Sequence, residues 1–314
     1  MRYIRDLEEG NNIQGVYYCK QKLMTETKNG KPYLSLILQD KTGVVDTKVW
    51  EPYSPGIREF EAGDYIDVYG DVITFNNQKQ AKLTNIRVAG EDEYDTADYF
   101  PVSEKNIDEM YAAVVDYIES VEHIYYKQLL KALFVENESF AKAFRTTSAA
   151  KTVHHGFIGG LLEHTLSVTN LCDYYCKAYP VLKRDLLITA ALCHDIAKTK
   201  ELSDFPDNDY TDEGQLLGHI VLGAEMVSRV ASGIEGFPPK ALNELKHCIL
   251  AHHGELEFGS PKKPALVEAV ALNFADNTDA KMETFTEIFK NTDNTEWLGY
   301  NKFLDTNIRK TSDL

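Results

Sequence analysis

The chain has 314 residues, of which 43% are hydrophobic, and this is enough for two cores because single domains usually run about 100 to 200 residues. Its formal net charge of −16 argues against a uniformly basic nucleic-acid-binding surface, so any polyanion must be held locally. The sequence has no apolar run of about eighteen residues and begins without the apolar segment of a signal peptide, which predicts a soluble, cytoplasmic protein.

The five cysteines are scattered and odd in number, which argues for reduced, mostly buried thiols rather than a disulfide framework. Cys172 and Cys176 could share one helix face, but no second cysteine pair completes a thiolate metal site.

Residues 13–88 read as short strands separated by turn signals. From Tyr65 to Val72, aliphatic residues alternate with Tyr and Asp, which is typical of a strand with one buried face. An irregular stretch, Ser54–Phe60, separates the third strand from the fourth, and this order resembles an OB fold. We therefore predict a five-stranded OB-like β-barrel over residues 1–90. The predicted strands are Gln14–Met24, Tyr33–Gln39, Val44–Trp50, Tyr65–Ile73 and Ala81–Val88.

The pattern changes after the barrel. Residues 91–102 are acidic and poor in aliphatics, which predicts a linker. Apolar residues then recur at three- and four-residue spacing from Ile107 to Ile118, with Ser103 as a plausible N-cap. We predict an all-α bundle over residues 103–314. The fold class is therefore multidomain, with an N-terminal β-barrel domain followed by an α-helical domain. Further helices are predicted over 125–134, 140–145, 160–179, 182–198, 217–232, 240–252 and 265–280.

Histidines and aspartates recur along this helical part in a spaced set. The His194-Asp195 pair follows the apolar helix Leu186–Cys193, where ionisable side chains are costly without a metal or partners. A single histidine such as His123 or His247 is more often structural, and the prediction of a metal site depends on the whole set. Its members are His164, His194, Asp195, His219, His252, His253 and Asp276.

These ligand types indicate the metal and the chemistry. Imidazole and carboxylate together suit Mn, Fe, Co or Zn, whereas oxygen ligands alone would suit Mg or Ca. Asp195 carries two oxygens and can bridge two cations. Two ions about 3.5 to 4 Å apart can activate water and stabilise the entering and leaving oxygens at phosphorus. The set predicts two divalent ions, with Mn favoured, and hydrolysis of a phosphoester.

The pattern H…HD…H…HH…D resembles the binuclear form of the HD superfamily of metal-dependent phosphohydrolases. Lys198, at the end of the His194-Asp195-Ile196-Ala197-Lys198 stretch, matches a lysine that contacts substrate phosphate in related enzymes; a solvated helix charge is the alternative. The resemblance implies that one metal is held by His164, His194, Asp195 and Asp276, and that Asp195 bridges to a second held by His219, His252 and His253.

Two longer stretches, residues 151–165 (KTVHHGFIGGLLEHT) and 252–261 (HHGELEFGSP), together with the OB-like front, resemble the YhaM-type 3′→5′ exoribonucleases. This resemblance covers essentially the whole chain. It implies hydrolysis of single-stranded RNA to nucleoside 5′-monophosphates, with single-stranded DNA left open as a substrate. Homo-oligomers are common among such enzymes, although no feature of the sequence specifies one.

Residues near the first ligand are candidates for phosphate contacts. His154 and His155 lie in a glycine-rich segment whose backbone N–H groups could approach a phosphate, and their imidazoles could donate hydrogen bonds to it. Arg145 and Lys151 lie just upstream as further contacts. The alternative is a glycine-rich turn with a buried histidine.

The barrel offers aromatic residues on which bases could stack, each stack contributing on the order of 1 to 3 kcal/mol. We expect Tyr33, Trp50 and Phe75 to serve in this way, with Tyr17, Tyr53 and Tyr69 as further candidates. Each of them could equally belong to the barrel core.

Two other functions stay open. The same metal set serves nucleotide and cyclic-dinucleotide phosphohydrolases, but the stretch after His252-His253 lacks the Gly-Tyr-Pro of the cyclic-di-GMP enzymes. A non-catalytic module that binds single strands would be expected to lack ligands, and none is missing.

Overall fold

The computed structural model describes residues 2–75, 78–151, 155–290, 292 and 296–312. The chain divides into two compact units, residues 1–102 and 103–314. Among the described residues, no helix is long and apolar enough to cross a membrane.

The first unit is a closed five-stranded barrel with the strand order β1-β2-β3-β5-β4. The long strand β1 pairs with β4 through its first half and with β2 through its second half, and a bulge between Cys19 and Gln21 interrupts the pairing with β2. Strands β3 and β5 are parallel and close the barrel, while the other pairs are antiparallel. This confirms the predicted OB-like barrel. The strands are β1 (Asn12–Glu26), β2 (Pro32–Asp40), β3 (Gly43–Val49), β4 (Tyr65–Phe75) and β5 (Gln78–Val88).

Alternation along the strands builds the barrel core. Ile66, Val68 and Val72 of β4 point inward, as the sequence pattern predicts. Gly70 is required in the same strand, because a Cβ there would collide with the backbone oxygen of Lys82 on β5.

Residues 91–102, which we predicted to form an acidic linker, lie in the first unit. Tyr94 stacks on Tyr65 with ring centroids 3.9 Å apart, and Tyr99 and Phe100 are almost fully buried. Residues 91–102 are therefore acidic in composition, but their aromatic side chains pack against the barrel.

The second unit is a helical bundle, as predicted. Helix α1 is capped by Asn106 instead of the expected Ser103, since the Asn106 side chain accepts the N–H groups of Asp108 and Glu109. Helix α5 is buried along its length and packs with α4, α8 and α9. The helices are α1 (Ile107–Ser120), α2 (Ile124–Phe134), α3 (Glu138–Thr146), α4 (Gly160–Ala178), α5 (Arg184–Cys193), α6 (Lys198–Glu201), α7 (Asp212–Ser232), α8 (Pro239–Leu250) and α9 (Val267–Lys290).

A two-stranded hairpin that we did not predict follows α9 in the second unit. Its strands are β6 (Trp297–Asn301) and β7 (Thr306–Arg309). Both strands are short and mostly exposed, and Ile308 is the buried residue of β7, so the alternation that marks a strand is missing from this part of the sequence.

Candidate metal centre

Five helices bring the seven predicted ligands together. His164 lies in α4 and Asp276 in α9, while His219 lies in α7. The other two segments follow the end of a helix: His194 and Asp195 come directly after α5, and His252 and His253 come one residue after α8. Helix α5 is apolar on every side, so it is central in the bundle, and the chain leaves it with His194 fully buried.

The first ligand set surrounds His164. Its Nε2 lies 3.2 Å from His194 Nε2, 3.2 Å from Asp276 Oδ1 and 3.4 Å from Asp195 Oδ2. The Nε2 atom of His194 is also 3.3 Å from Asp195 Oδ2. Four potential ligand atoms therefore converge, two nitrogens and two oxygens.

The second set lies on the other oxygen of the same carboxylate. Asp195 Oδ1 is 3.3 Å from His219 Nε2 and 3.6 Å from His252 Nε2. His253 joins the two other histidines, with ligand atoms of the three within 4.8 Å of one another. Each oxygen of Asp195 thus faces one set.

Unpaired polar atoms test whether cations fit here. Asp195 Oδ1, His219 Nε2 and His252 Nε2 are buried, and none has a hydrogen-bond partner among the described residues. Burying such atoms without a partner costs free energy, and a divalent cation would accept the lone pairs of all three. The donor set therefore fits a borderline divalent metal.

In each of the five predicted ligand histidines, the Nδ1 atom has a hydrogen-bond partner. The Nδ1 atom of His164 donates to Asp279 Oδ2 at 2.7 Å, and that of His219 donates to Glu201 Oε1 at 2.9 Å. Backbone carbonyls accept from the remaining three: Ala191 from His194, Ile249 from His252 and Phe258 from His253. Such partners fix the ring orientation and leave Nε2 free to bind a metal.

Sequence reasoning missed Asp279 and Glu201. Asp279 follows Asp276 by three residues and so shares its helix face, a signal that could have been used. No such signal marks Glu201 in the sequence, because its contact with His219 depends on a break in α7. Gly218 adopts φ 73° and ψ 156°, so the helix restarts at His219, whose N–H donates to Glu201 Oε1 at 3.0 Å.

The surroundings of Asp195, His252 and His253 favour metal-binding protonation states. Burial opposes ionisation of Asp195, yet the Lys198 ammonium and the neighbouring His194 lower the pKa of its carboxyl well below the usual range. Burial and the nearby His253 ring lower the pKa of His252 well below its usual value. Burial and His219 likewise lower the pKa of His253. The carboxylate is therefore ionised and these imidazoles are neutral.

Lys198 lies beside the carboxylate. Its Nζ is 2.7 Å from Asp195 Oδ2, and its side chain is 15% exposed and lines a cavity of about 870 Å³ above the ligands. Lys151 lines the same cavity and pairs with Asp209. Arg145 lies elsewhere: it pairs with Asp108 and its guanidinium sits 5.0 Å from the Tyr111 ring.

His155 lies behind the ligands. It is 2% exposed, and its Nε2 is 3.0 Å from Asp279 Oδ2, the atom that also accepts from His164. The cavity lining does not include it. The predicted phosphate contact of His155 stays a prediction, and that of His154 falls outside the described residues.

In the barrel, the aromatic candidates differ in exposure. Trp50 is 44% and Phe75 58% exposed, and the Tyr33 and Trp50 rings lie 4.8 Å apart. Tyr17 is fully buried and belongs to the barrel core, so its proposed stacking role was wrong. The roles of Tyr33, Trp50 and Phe75 stay predictions.

The sequence matches the HD domain family over residues 161–281, which include the seven predicted ligands. It is 37% identical over 279 residues to the 3′-5′ exoribonuclease YhaM of Bacillus velezensis, with 88% of this chain and 87% of the relative covered. The YhaM of Bacillus subtilis is 34% identical over 276 residues, with 88% and 87% covered.

A solved structure, the second OB-fold domain of replication protein A from Methanococcus maripaludis, is 20% identical with a TM-score of 0.24, covering 29% of this chain and 95% of that one. The barrel is identified by its own strand order and not by this likeness. From the identity and coverage of the relatives, the chain belongs to the family of YhaM 3′-5′ exoribonucleases.

Proposed function

We propose that this protein is a metal-dependent 3′→5′ exoribonuclease that hydrolyses single-stranded RNA to nucleoside 5′-monophosphates. The observation that carries the proposal is the position of Asp195 between two converging ligand sets in an HD domain. Relatives that match nearly the full chain are named 3′-5′ exoribonucleases, which supports RNA as the substrate and the 3′ end as the start.

The ligand assignment is part of the proposal. His164, His194, Asp195 and Asp276 would hold one divalent ion, and Asp195, His219, His252 and His253 a second. Bound ions of this kind activate water and stabilise the charge that develops at phosphorus. The mixture of imidazole and carboxylate supports Mn, with Fe, Co and Zn as alternatives.

Residues of the chain would position the reacting groups. The Lys198 ammonium, 2.7 Å from Asp195 and open to the cavity, would hold a phosphoryl oxygen of the terminal diester. Water oxygen bonds to phosphorus, and the bond from phosphorus to the 3′ oxygen of the preceding nucleotide breaks. The released nucleotide keeps its 5′ phosphate, and the shortened RNA gains a new 3′ hydroxyl.

The barrel would bind the strand upstream of the cut. Exposed aromatic side chains on an OB-like barrel provide platforms on which bases of any sequence can stack. The ring of Tyr33 on β2 neighbours that of Trp50, which directly follows β3, and Phe75 ends β4. We propose these three as the barrel's nucleic-acid contacts, with Arg145 and Lys151 as contacts in the second unit and single-stranded DNA as a further substrate.

The cellular setting is also proposed. All five cysteines are free, which supports a reducing compartment such as the cytoplasm. We also expect the protein to form a homo-oligomer, because such enzymes commonly do.

The test is a time course with 5′-labelled single-stranded RNA and Mn²⁺, in parallel with an Asp195→Ala variant. We expect a ladder that shortens from the 3′ end in the wild type, loss of the ladder with a chelator and its return with Mn²⁺. The variant should leave the RNA intact. If the wild type leaves the RNA intact but hydrolyses mononucleotides or cyclic dinucleotides, the exoribonuclease proposal is wrong and the phosphohydrolase alternative is correct.

A further inference from the structure

The cavity above the metal centre has aromatic residues in its wall that the mechanism does not use. Tyr210 precedes α7, Phe258 lies in a 3₁₀ turn shortly after His253, and Phe303 lies in the turn between β6 and β7. Their exposed fractions are 46%, 64% and 46%. Three separate chain segments therefore contribute a solvent-accessible ring to the same cavity, which is also lined by His164, Asp195 and His219.

We propose that this cavity is a nucleotide pocket in which Phe258, Phe303 and Tyr210 stack on bases at the 3′ end of the RNA, while Lys281 and Lys302 contact its phosphates. The inference rests on the proposed function and adds the residues that would recognise the substrate.

The size and chemistry of the cavity suit a nucleotide. A volume of about 870 Å³ lies near the upper end of the roughly 300 to 1,000 Å³ that small-molecule sites occupy. Ligand pockets combine apolar and aromatic side chains with polar groups that fix the orientation of the ligand, and both kinds of side chain line this cavity. Nucleobases are flat and apolar on both faces, so they are the part of the substrate that these rings fit.

The charges in the wall complement a phosphodiester. Lys151 is paired with Asp209 and Lys198 with Asp195, but Lys281 and Lys302 form no ion pair with another residue that the structure describes. In a chain with net charge −16, these two ammonium groups would provide local attraction for phosphate, because the acids Asp195, Glu201 and Asp276 in the same wall belong to the metal centre. The acidic Asp305 shares this wall and accepts a hydrogen bond from the Tyr300 hydroxyl.

Recognition through ring faces suits an enzyme that removes every nucleotide in turn. Stacking does not read the hydrogen-bonding edge of a base, so it tolerates all four bases. A pocket of this type would favour a nucleotide over its base-free analogue without a strong preference for one base.

The experiment measures binding, so it does not depend on RNA cleavage. We would titrate the full-length protein, in the presence of Mn²⁺, with adenosine 5′-monophosphate and with ribose 5-phosphate, which lacks the base. Proteins for comparison are the wild type, a Phe258→Ala/Phe303→Ala variant and a Tyr174→Ala control. Tyr174 is 65% exposed in α4 and does not line the cavity.

We expect the wild type to bind the nucleotide roughly 5- to 150-fold more tightly than ribose 5-phosphate, the range that stacking on one ring provides. In the double variant this ratio should fall towards one, whereas Tyr174→Ala should keep the wild-type ratio. A Phe258→Leu/Phe303→Leu variant keeps the apolar bulk but not the ring face, so its ratio should also fall if stacking is the cause.

Equal binding of the two compounds by the wild type, or an unchanged ratio in both double variants, would overturn the nucleotide pocket. This outcome is distinct from failure of the proposed function. An enzyme that shortens RNA but shows a ratio near one has its base contacts elsewhere. A protein that leaves RNA intact but shows the expected ratios has the nucleotide pocket without the exoribonuclease activity.

Discussion

The two units bury very different residues. The barrel encloses an apolar core built around residues such as Leu36, Leu38 and Ile66. Asp40, the one buried carboxylate among the residues described in this unit, is satisfied by the backbone N–H groups of Ile4 and Thr42. The helical unit has a larger apolar core of its own, and in addition it buries histidines and aspartates, several of whose atoms have no partner among the described residues. Polar burial in the barrel is therefore satisfied within the fold, while polar burial in the bundle leaves atoms available for a ligand.

The two units also differ in how strongly their structural features indicate a function. An unpaired buried atom costs free energy and so points to a missing partner. An exposed aromatic on a barrel costs little, so its exposure alone does not identify a role. The following experiments, from the largest expected effect to the smallest, test this contrast.

Replacing Asp195 should have the largest effect, because both ligand sets depend on its two oxygens. We expect Asp195→Asn to reduce kcat/KM on RNA by more than the roughly 10- to 100-fold that loss of an outer-shell partner costs. Metal analysis should show fewer than two ions per chain. A variant that retains two ions and full activity would contradict the shared-ligand assignment.

Removing the carboxylates that orient the histidines should have an intermediate effect. Asp279→Asn and Glu201→Gln each weaken one Nδ1 partner, of His164 and of His219, and we expect about 10- to 100-fold weaker metal binding. The measurement is Mn²⁺ affinity by equilibrium dialysis. Each variant should weaken mainly one of the two ions. Uniform weakening of both by either variant would count against separate ligand sets.

Replacing Trp50 in the barrel should have a smaller effect that is confined to RNA. Because Tyr33 remains as a neighbouring platform, we expect Trp50→Ala to weaken binding of a long single strand by about 5-fold, corresponding to about 1 kcal/mol. Filter binding in the presence of a chelator measures this. Val44, exposed at the opposite end of β3, provides the control Val44→Ala. Equal losses in the two variants would argue against a specific stacking site.

The smallest effect concerns pH. All nine histidines lie beyond residue 102, so any dependence of stability on histidine protonation arises in the helical unit. Burial and the Lys262 charge lower the pKa of His247, whose Nε2 accepts the Ala265 N–H at 2.8 Å. Below its ordinary pKa, the unfolded chain binds a proton that the folded chain resists, so this contribution to stability is lost as the pH falls.

We therefore expect the urea midpoint of unfolding to fall between about pH 7 and about pH 5.5, and to fall less in His247→Gln, which keeps an acceptor. An equal fall in the variant and the wild type would show that His247 does not contribute.

Much of this architecture could be predicted from sequence. Alternation in β4 predicts the barrel, and the ionisable pair that follows the apolar α5 predicts the metal centre. The supporting contacts could not be predicted, because Glu201 meets His219 only through the break at Gly218. The sequence allowed a buried histidine in the glycine-rich turn, but it could not indicate that the partner of His155 is Asp279, 124 residues away. The hairpin that contributes Phe303 to the cavity lacks a periodic apolar pattern.

In the proposed assignment, the single carboxylate of Asp195 would make the two ion sites thermodynamically dependent on each other. Its oxygens belong to one rigid group, so any rotation that suits one set also moves the atom that faces the other. Occupancy of either site would therefore change the affinity of the other, and by linkage the factor would be the same whichever ion binds first. Metal titration of this protein should therefore not follow two independent binding isotherms. The metal concentration at which the enzyme becomes active would depend on the affinities of both ion sites together.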